Sequence, residues 1–291
     1  MTTIIPFDKR DGLIWQDGIY KPWQEAGLHV LTHGLHYGSC VFEGERAYEG
    51  KIFKSKLHTQ RLFNSARILD MNIPFSAQQL EEAKYELLKR QNLKNAYIRA
   101  FAWRGSEMMA ISAQQTKTHV AIAAWEWPSY FSLEQKKKGL RLDIAQWKRP
   151  SPESAPFDAK AAGLYMICTL SKHHAERAGY TDALMADYRG YIAEATGANI
   201  FFVKDNALHT PLADCFLNGI TRQTVIALAK SKNIPVIERH IRFEELPDFE
   251  QCFLTGSAAE ITPVSEIKGH FFTVGDFVLD LAQAYDELVR A

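Results

Sequence analysis

The sequence has no excess of charge of either sign. Thirty-four lysines and arginines balance 34 aspartates and glutamates over 291 residues. Proteins that bind nucleic acid through its phosphates usually carry a basic excess or a basic stripe. We therefore expect no nucleic-acid partner.

Long apolar runs and paired cysteines are also missing. The longest purely apolar runs are about the length of Ala121–Trp125, far short of a membrane span, and the amino-terminal residues lack the apolar core of a signal peptide. The four cysteines are scattered and form no CxxC pair, which argues against a zinc knuckle and against a disulfide framework. These absences predict a cytoplasmic protein without membrane association.

Common phosphate-binding and metal-binding motifs are absent as well. No GxGxxG follows a predicted strand, and the segment Gly44–Lys51 has one residue too many for a P-loop. His29, His33 and His36 are conceivable metal ligands. Glycines interrupt any regular element between them, however, and no glutamate completes an HExxH motif. We assign these histidines to the core or to turns and expect no metal.

The composition, 46% hydrophobic and 23% charged, is that of a soluble globular protein. Strand-like and helix-like segments alternate irregularly in both halves, which favours an α+β fold, a two-domain α/β protein, over a repeating βαβ array. The pattern breaks near Trp127 and a polar run follows. The sequence thus predicts a small N-terminal α/β domain at 1–126, an interdomain loop at 127–137 and a larger domain at 138–291.

Hydrophobic periodicity predicts the main elements. Val41–Tyr48 and Lys51–Phe53 flank Glu49-Gly50 as the two strands of a hairpin. Aromatic and β-branched residues predict further strands at 97–103 and 119–127. Helices are predicted from Ser55, from Ser76 to Arg90, and at 161–178, 221–231 and 274–290.

Lys160 is the first candidate for chemistry. It stands in a run of small residues, Phe157–Gly163, just before a predicted helix. Burial and the positive end of a helix would both lower the pKa of its ammonium and favour a nucleophilic amine. On this pattern alone, a surface lysine is the commoner outcome.

Three further segments place polar groups at turns. Glu194 follows a strand-like run and precedes a glycine-containing turn. Gly219–Arg222 opens a predicted helix whose N–H groups could bind phosphate, and Ser257–Ala259 is a small turn that could hold an anion. For each segment taken alone, structural hydrogen bonds or a simple helix cap are the favoured alternative.

Together these segments resemble the fold-type IV pyridoxal 5'-phosphate (PLP) aminotransferases, in particular the branched-chain amino acid aminotransferases. The resemblance runs from about Trp15 to the C-terminal helix and depends on the order and spacing of seven stretches. These stretches are His36–Gly44, His58–Leu62, Ala96–Arg99, Ala159–Tyr165, Ile192–Phe201, Leu217–Arg222 and Thr255–Pro263. It implies a cofactor between the two domains, the larger of which binds PLP.

The resemblance also implies a role for individual residues. Lys160 would be the catalytic residue that binds PLP covalently and moves a proton, and Glu194 would face the pyridine nitrogen. The other implied cofactor-binding residues are Arg61, Tyr165, Ile220, Thr221 and Ser257. The implied substrate-binding residues are Tyr37, Phe42, Tyr97, Arg99, Ile111, Trp127, Tyr130, Ala258 and Ala259.

The implied reaction is amino transfer between L-leucine, L-isoleucine or L-valine and 2-oxoglutarate. The implied assembly is a homo-oligomer, a dimer or an assembly of dimers. Two alternatives stay open from the sequence. One is another fold-type IV activity, a D-amino acid or (R)-amine transaminase, and the other is a PLP-free binding protein that keeps only the fold.

Overall fold

A computed structural model describes residues 5–127 and 133–291. These residues fall into two compact units. Unit 1 contains residues 5–127 together with 159–163, and unit 2 contains 133–158 together with 164–291. The domain boundaries read from the sequence stay a prediction.

Unit 1 is built on a seven-stranded antiparallel sheet with the strand order β2-β1-β7-β6-β4-β5, in which β3 also pairs with β6. Its strands are β1 (Leu13–Gln16), β2 (Ile19–Pro22), β3 (Cys40–Phe42), β4 (Glu45–Tyr48), β5 (Lys51–Ile52), β6 (Ala96–Arg104) and β7 (Thr118–Glu126). Its helices are α1 (His33–His36), α2 (Ser55–Ile68) and α3 (Ala77–Arg90), with 3-10 turns at Phe7–Lys9 and Trp23–Glu25.

The segment predicted as one strand, Val41–Tyr48, is divided into β3 and β4. Both halves keep a single register along β6, since Phe42 pairs with Phe101 and Glu45 pairs with Ile98. The Glu43 N–H donates to the Ala100 carbonyl at 2.7 Å across the interruption. Side chains therefore still alternate between the two faces of the sheet along the whole segment.

Helices α2 and α3 supply the core that covers one face of this sheet. Leu62 of α2 and Leu80 of α3 pack with Val41, Ile98 and other buried sheet residues. The predicted start of α3 is confirmed, because Ser76 Oγ accepts from the Gln79 N–H and Gln79 Oε1 accepts from the Ser76 N–H. This reciprocal capping box satisfies two backbone donors.

Unit 2 contains a nine-stranded mixed sheet with the order β10-β9-β8-β15-β14-β11-β12-β13, and β16 pairs with β15. Its strands are β8 (Leu140–Ile144), β9 (Asp182–Ala186), β10 (Ile192–Ala195), β11 (Asn199–Lys204), β12 (Ala207–Pro211), β13 (Val236–Arg239), β14 (Gln251–Gly256), β15 (Glu260–Ile267) and β16 (His270–Phe271). Its helices are α4 (Leu133–Lys138), α5 (Met166–Arg177), α6 (Ile220–Ser231) and α7 (Asp276–Arg290). A 3-10 helix spans Phe243–Asp248, and another, Ala162–Tyr165, precedes α5.

The helices of unit 2 follow the predictions with two differences. α4 begins in the segment 127–137 that the sequence predicted as a loop and ends one residue beyond it, at Lys138. The helix expected from 161 begins with the 3-10 turn at Ala162 and becomes α-helical only at Met166. The mixture of helices and mixed or antiparallel sheets confirms the α+β class. None of the helices in 5–127 and 133–291 combines the length and apolar character needed to span a bilayer.

Candidate functional site

The backbone of Lys160 is held by residues of unit 1. Its N–H donates to Ser65 Oγ at 3.0 Å, and its carbonyl accepts from the Phe42 N–H at 3.1 Å. The next residue, Ala161, forms an antiparallel bridge with Val41. Lys160 is therefore fixed along β3 although it lies more than 100 positions away in the chain.

The Lys160 side chain lies among aromatic and charged groups. Its Nζ is 4.8 Å from the centre of the Phe42 ring. Burial and, to a smaller extent, the Arg61 cation lower the pKa of its ammonium, Glu43 opposes the shift, and the pKa lies at about 8. The helix predicted to begin just after Lys160 opens with the 3-10 turn at Ala162–Tyr165, and α5 itself begins six residues after Lys160, at Met166.

Arg61 belongs to a buried ion cluster. The Glu43 carboxylate, fully buried, accepts from Arg61 Nε at 2.6 Å and from Arg61 Nη2 at 2.8 Å. His58 lies one turn earlier on α2, with Nδ1 at 2.7 Å from Glu43 Oε2. Burial alone would raise the pKa of the Glu43 carboxyl, but Arg61 and His58 lower it to about 2.

The sheet face opposite α2 and α3 carries an aromatic cluster. The Tyr97 ring lies 5.2 Å from the Trp125 ring and 5.5 Å from the Trp127 ring, centre to centre. Arg99 Nη2 donates to Tyr97 Oη at 3.2 Å, and the Arg99 guanidinium lies 4.7 Å from the centre of the Phe42 ring. The Arg99 cation therefore lies among aromatic rings, and one of them, Phe42, is also in contact with Lys160.

Gly44 is the residue that allows Tyr97 to occupy this position. A Cβ at Gly44 would lie 2.0 Å from Tyr97 Oη and 3.0 Å from its Cζ. Such distances are far inside van der Waals contact. The glycine in the quoted stretch His36–Gly44 therefore has a steric role that only the packing reveals.

Two further predicted substrate residues of unit 1, Tyr37 and Ile111, do not join this cluster. Tyr37 is about half exposed and packs against the rings of His33 and His36. Ile111 is 85% exposed. Tyr130 lies outside the described residues.

Glu194 in unit 2 lies on β10 with a cation and an amide beside it. Arg149 Nε is 3.4 Å from Glu194 Oε1, and Asn199 Nδ2 donates to Glu194 Oε2 at 3.1 Å. Burial works against the charged Arg149, yet the Glu194 carboxylate holds the pKa of its guanidinium above the usual value. All three residues are largely buried.

The N-terminus of α6 carries the second group of predicted site residues in unit 2. Gly219 is the N-cap residue and provides no side-chain cap, so the first N–H groups, from Ile220 and Thr221, stand at the positive end of the helix. Both residues are buried. Arg222, also buried, donates from Nη1 to Asn218 Oδ1 at 2.9 Å and steadies the turn before the helix.

A cavity of about 390 Å³ in unit 2 brings together residues that the resemblance singled out. Tyr165, Ala258 and Ala259 line it together with Gly197 and Asp182. Burial raises the pKa of the Asp182 carboxyl, whose Oδ1 accepts from Thr196 Oγ1. Ser257 precedes this lining and is partly exposed.

Four residues of these clusters were not predicted from the sequence: Glu43, His58, Arg149 and Asn199. Glu43, His58 and Asn199 lie within quoted stretches, and this was the available signal for them. For Arg149, which precedes a proline-rich segment, no local pattern indicates a partner.

Comparison with known proteins places these features in a family. The family described as amino-transferase class IV matches residues 40–267. The chain belongs to this family. It is therefore a PLP-dependent aminotransferase, and the resemblance inferred from the sequence is confirmed.

Individual relatives of this aminotransferase cover nearly its whole length. It is 45% identical over 255 residues to a "Probable branched-chain-amino-acid aminotransferase" of Rickettsia conorii, covering 87% of this chain and 86% of the relative. It is 40% identical over 287 residues to the branched-chain-amino-acid aminotransferase of Pseudomonas aeruginosa, covering 96% and 94%. Among solved structures, the branched-chain aminotransferase from the archaeon Thermoproteus uzoniensis with norvaline superposes with a TM-score of 0.92 at 34% identity, covering 97% of this aminotransferase and 95% of that chain.

The donor set of the aminotransferase fits PLP. A lysine whose pKa is lowered to about 8 offers an amine that is partly neutral near neutral pH. Buried Glu194 offers a carboxylate for a ring nitrogen, and the α6 terminus offers N–H groups for a phosphate. Each chemical function of PLP therefore has a matching group in this chain.

Proposed function

We propose that the protein transfers the amino group between the branched-chain L-amino acids leucine, isoleucine and valine and 2-oxoglutarate. The observation that supports this proposal is the side-chain cluster in unit 1. There the Lys160 amine lies beside the Phe42 ring, and the Arg99 guanidinium lies against the same ring. Apolar walls favour branched side chains, and an arginine favours a second carboxylate.

Lys160 is proposed to perform the proton transfer. PLP, when bound, supplies an aldehyde carbon that takes up the amino group and a ring that accepts electrons from the substrate. Lys160 Nζ would hold the cofactor and then move a proton between the substrate Cα and the cofactor. Its lowered pKa suits this role, because a base works best when its pKa lies near the working pH.

Glu194 is proposed to hold a proton on the pyridine nitrogen. A buried carboxylate beside that nitrogen favours the protonated ring. Arg149 and Asn199 fix the orientation of the carboxylate through their contacts with its two oxygens. The Tyr165 hydroxyl is assigned to the phenolic oxygen of the ring.

The phosphate is assigned to one cationic side chain, to backbone N–H groups and to one hydroxyl. Arg61 supplies a guanidinium whose Nε and Nη2 are held by Glu43. The N–H groups of Ile220 and Thr221 supply the positive helix end, and Ser257 supplies a hydroxyl. These charge-assisted bonds bind the cofactor independently of the Lys160 amine.

Tyr97, Phe42 and Trp127 are proposed to contact the branched side chain and to exclude water from it. Arg99, braced by Tyr97 Oη, is proposed to bind the distal carboxylate of glutamate and 2-oxoglutarate. Ala258 and Ala259 would hold the α-carboxylate. Contacts of Tyr37, Ile111 and Tyr130 with substrate stay a prediction.

The cofactor assignment is tested on purified protein. Borohydride reduction followed by peptide mapping should place the pyridoxyl group on Lys160, and Lys160→Ala should bind PLP yet lose nearly all turnover. A reduced adduct on another lysine would overturn the assignment.

The substrate assignment is tested with a panel of L- and D-amino acids as donors and 2-oxoglutarate as acceptor. Leucine, isoleucine and valine should be consumed as the L-enantiomers. Preferred turnover of D-amino acids or (R)-amines would replace this proposal with the other fold-type IV activities. A protein without a visible absorbance band after addition of PLP would point to the binding-protein alternative.

We also propose that the protein acts as a homo-oligomer, a dimer or an assembly of dimers, in the cytoplasm. Exposed apolar side chains gather on two adjoining segments of unit 1, including Val30, Leu35, Met109 and Ile111. The segments touch where the His33 N–H donates to the Gly105 carbonyl. Contiguous apolar surface of this kind is typical of subunit contacts, and four free cysteines suit a reducing compartment.

Light scattering coupled to gel filtration tests the assembly. Ile111→Asp should shift the protein toward monomer. Phe271→Asp, at a residue of unit 2 that is 78% exposed, is the matched control and should leave the mass unchanged. A monomeric wild-type protein would refute the proposed assembly.

A further inference from the structure

We infer that Asn199 is a positioning residue that ties the Glu194 carboxylate to the turn before α6, so that the ring-nitrogen and phosphate contacts depend on one side chain. This inference rests on the proposed function, which assigns Glu194 to the ring nitrogen and the α6 terminus to the phosphate. Asn199 begins β11 and is 5% exposed.

The amide nitrogen of Asn199 joins two different parts of unit 2. Nδ2 donates to Glu194 Oε2 at 3.1 Å and to the Leu217 carbonyl at 3.0 Å. A primary amide has two N–H donors, and both are used here. The orientation of the amide is thus determined, since its oxygen could not face two acceptors.

The amide oxygen of Asn199 makes the third contact. Oδ1 accepts from the Gly219 N–H at 3.2 Å, at the N-cap of α6. A Cβ at Gly219 would lie 2.3 Å from this oxygen. Gly219 has φ −61°, an ordinary value for any residue, so the requirement for glycine comes from Asn199 and not from the backbone.

Both N–H donors and the oxygen of the Asn199 amide are therefore used in hydrogen bonds to the Glu194 carboxylate and to the turn before α6. A side chain that only stabilised the sheet would need neither contact. Loss of the amide donor should affect both the protonation of the bound ring and the affinity for phosphate. Loss of the Glu194 charge alone should affect only the first.

The test compares Asn199→Asp, Glu194→Gln and Thr210→Val in the full-length protein. Asn199→Asp keeps the shape but places an oxygen against the Glu194 carboxylate and the Leu217 carbonyl. Thr210 is the matched control, because its fully buried Oγ1 donates to the Ile200 carbonyl at 2.8 Å in the same sheet. Two readouts are used: the dissociation constant of inorganic phosphate from the PLP-free protein, and the pH midpoint of the visible band of the PLP-bound protein.

Asn199→Asp should raise the phosphate dissociation constant by at least about fivefold, in keeping with one lost buried hydrogen bond, and should also move the pH midpoint. Glu194→Gln should move only the midpoint, and Thr210→Val should change neither readout while lowering Tm. If Asn199→Asp does not fold, Gly219→Ala displaces the same amide oxygen and should give the same double effect.

The outcomes separate this inference from the proposed function. If wild-type protein shows no visible band with PLP, the proposed function fails. If wild-type protein binds PLP normally but Asn199→Asp, or Gly219→Ala in its place, changes neither or only one of the two readouts, Asn199 is not the link inferred here.

Discussion

Glu43 binds Arg61 through two parallel hydrogen bonds, 2.6 Å from Nε to Oε1 and 2.8 Å from Nη2 to Oε2. This fork geometry fixes the plane of the guanidinium as well as its position. It does so from the buried interior, since Glu43 has no exposed surface. Arg61 therefore has one edge held by the protein core.

Glu43→Gln should weaken stability in a pH-dependent way. The pKa of the Glu43 carboxyl lies at about 2 in the folded protein, below its ordinary value of 4.5. A lowered folded pKa contributes stability that is present above about pH 4.5 and is lost as pH falls toward 2. A shift of this size corresponds to roughly 3 kcal/mol. Urea unfolding at several pH values should show the wild-type advantage over Glu43→Gln shrinking on acidification.

Glu45→Gln, two residues away, should show the opposite pH dependence of stability. Glu45 is equally buried and pairs with Lys84 at 2.9 Å, but burial raises the pKa of its carboxyl. A carboxyl group whose pKa is raised in the folded protein lowers the free energy of unfolding as the pH rises and the group ionises. The wild-type advantage over Glu45→Gln should therefore fall as pH rises. The same slope for both variants would contradict the opposite assignments.

Lys160 should titrate near pH 8 in the PLP-free protein. Its ammonium is charged below that pH and becomes the neutral amine above it, whereas an ordinary lysine does so near 10.5. NMR of the ¹³C-methylated lysines would record the midpoint, with exposed lysines as the internal reference. Arg61→Met should raise the midpoint because it removes a nearby cation. A Lys160 midpoint near 10.5 would contradict the burial argument.

Gly44→Ala should disturb substrate binding through Tyr97. The added Cβ would lie 2.0 Å from Tyr97 Oη, and rings on the same face restrict any retreat of the tyrosine. We expect kcat/KM for leucine to fall at least about tenfold. Removing the hydroxyl should recover part of the loss in the double variant Gly44→Ala/Tyr97→Phe. Gly27→Ala, where nothing lies within 4 Å of the new Cβ, is the control and should behave as wild type.

Arg99→Leu should separate the two substrate classes. Hydrogen bonds from an arginine to a carboxylate are worth roughly 1.5–3 kcal/mol, so kcat/KM for glutamate should fall at least about tenfold. Leucine offers Arg99 no distal anion and should be affected much less. Single-turnover spectra with each amino acid measure the two effects. Equal losses would indicate that Arg99 only braces β6.

Local patterns were sufficient for the elements that depend on neighbours in sequence. The Ser76-to-Gln79 capping box places the start of α3, and the Glu49-Gly50 hairpin turn adopts positive φ at both residues as expected. The buried face of α2 does not follow the polarity of its side chains. Leu57 is 44% exposed, whereas polar Ser65 is fully buried. Composition alone does not reveal that the helix turns polar side chains toward Glu43 and Lys160.

The sequence by itself determined the secondary structure in outline, the chemical types of the site residues and, through ordered motifs, the family. The tertiary structure alone decided which of these residues act on one another. Lys160 owes its lowered pKa to burial and to Arg61, 99 positions away in the chain. Asn199 meets Gly219 only because the chain returns to it after 20 residues. Hydrophobic periodicity indicates which residues share a face of one helix or strand. Hydrogen-bond partners and desolvation depend instead on which distant segments of the chain pack together.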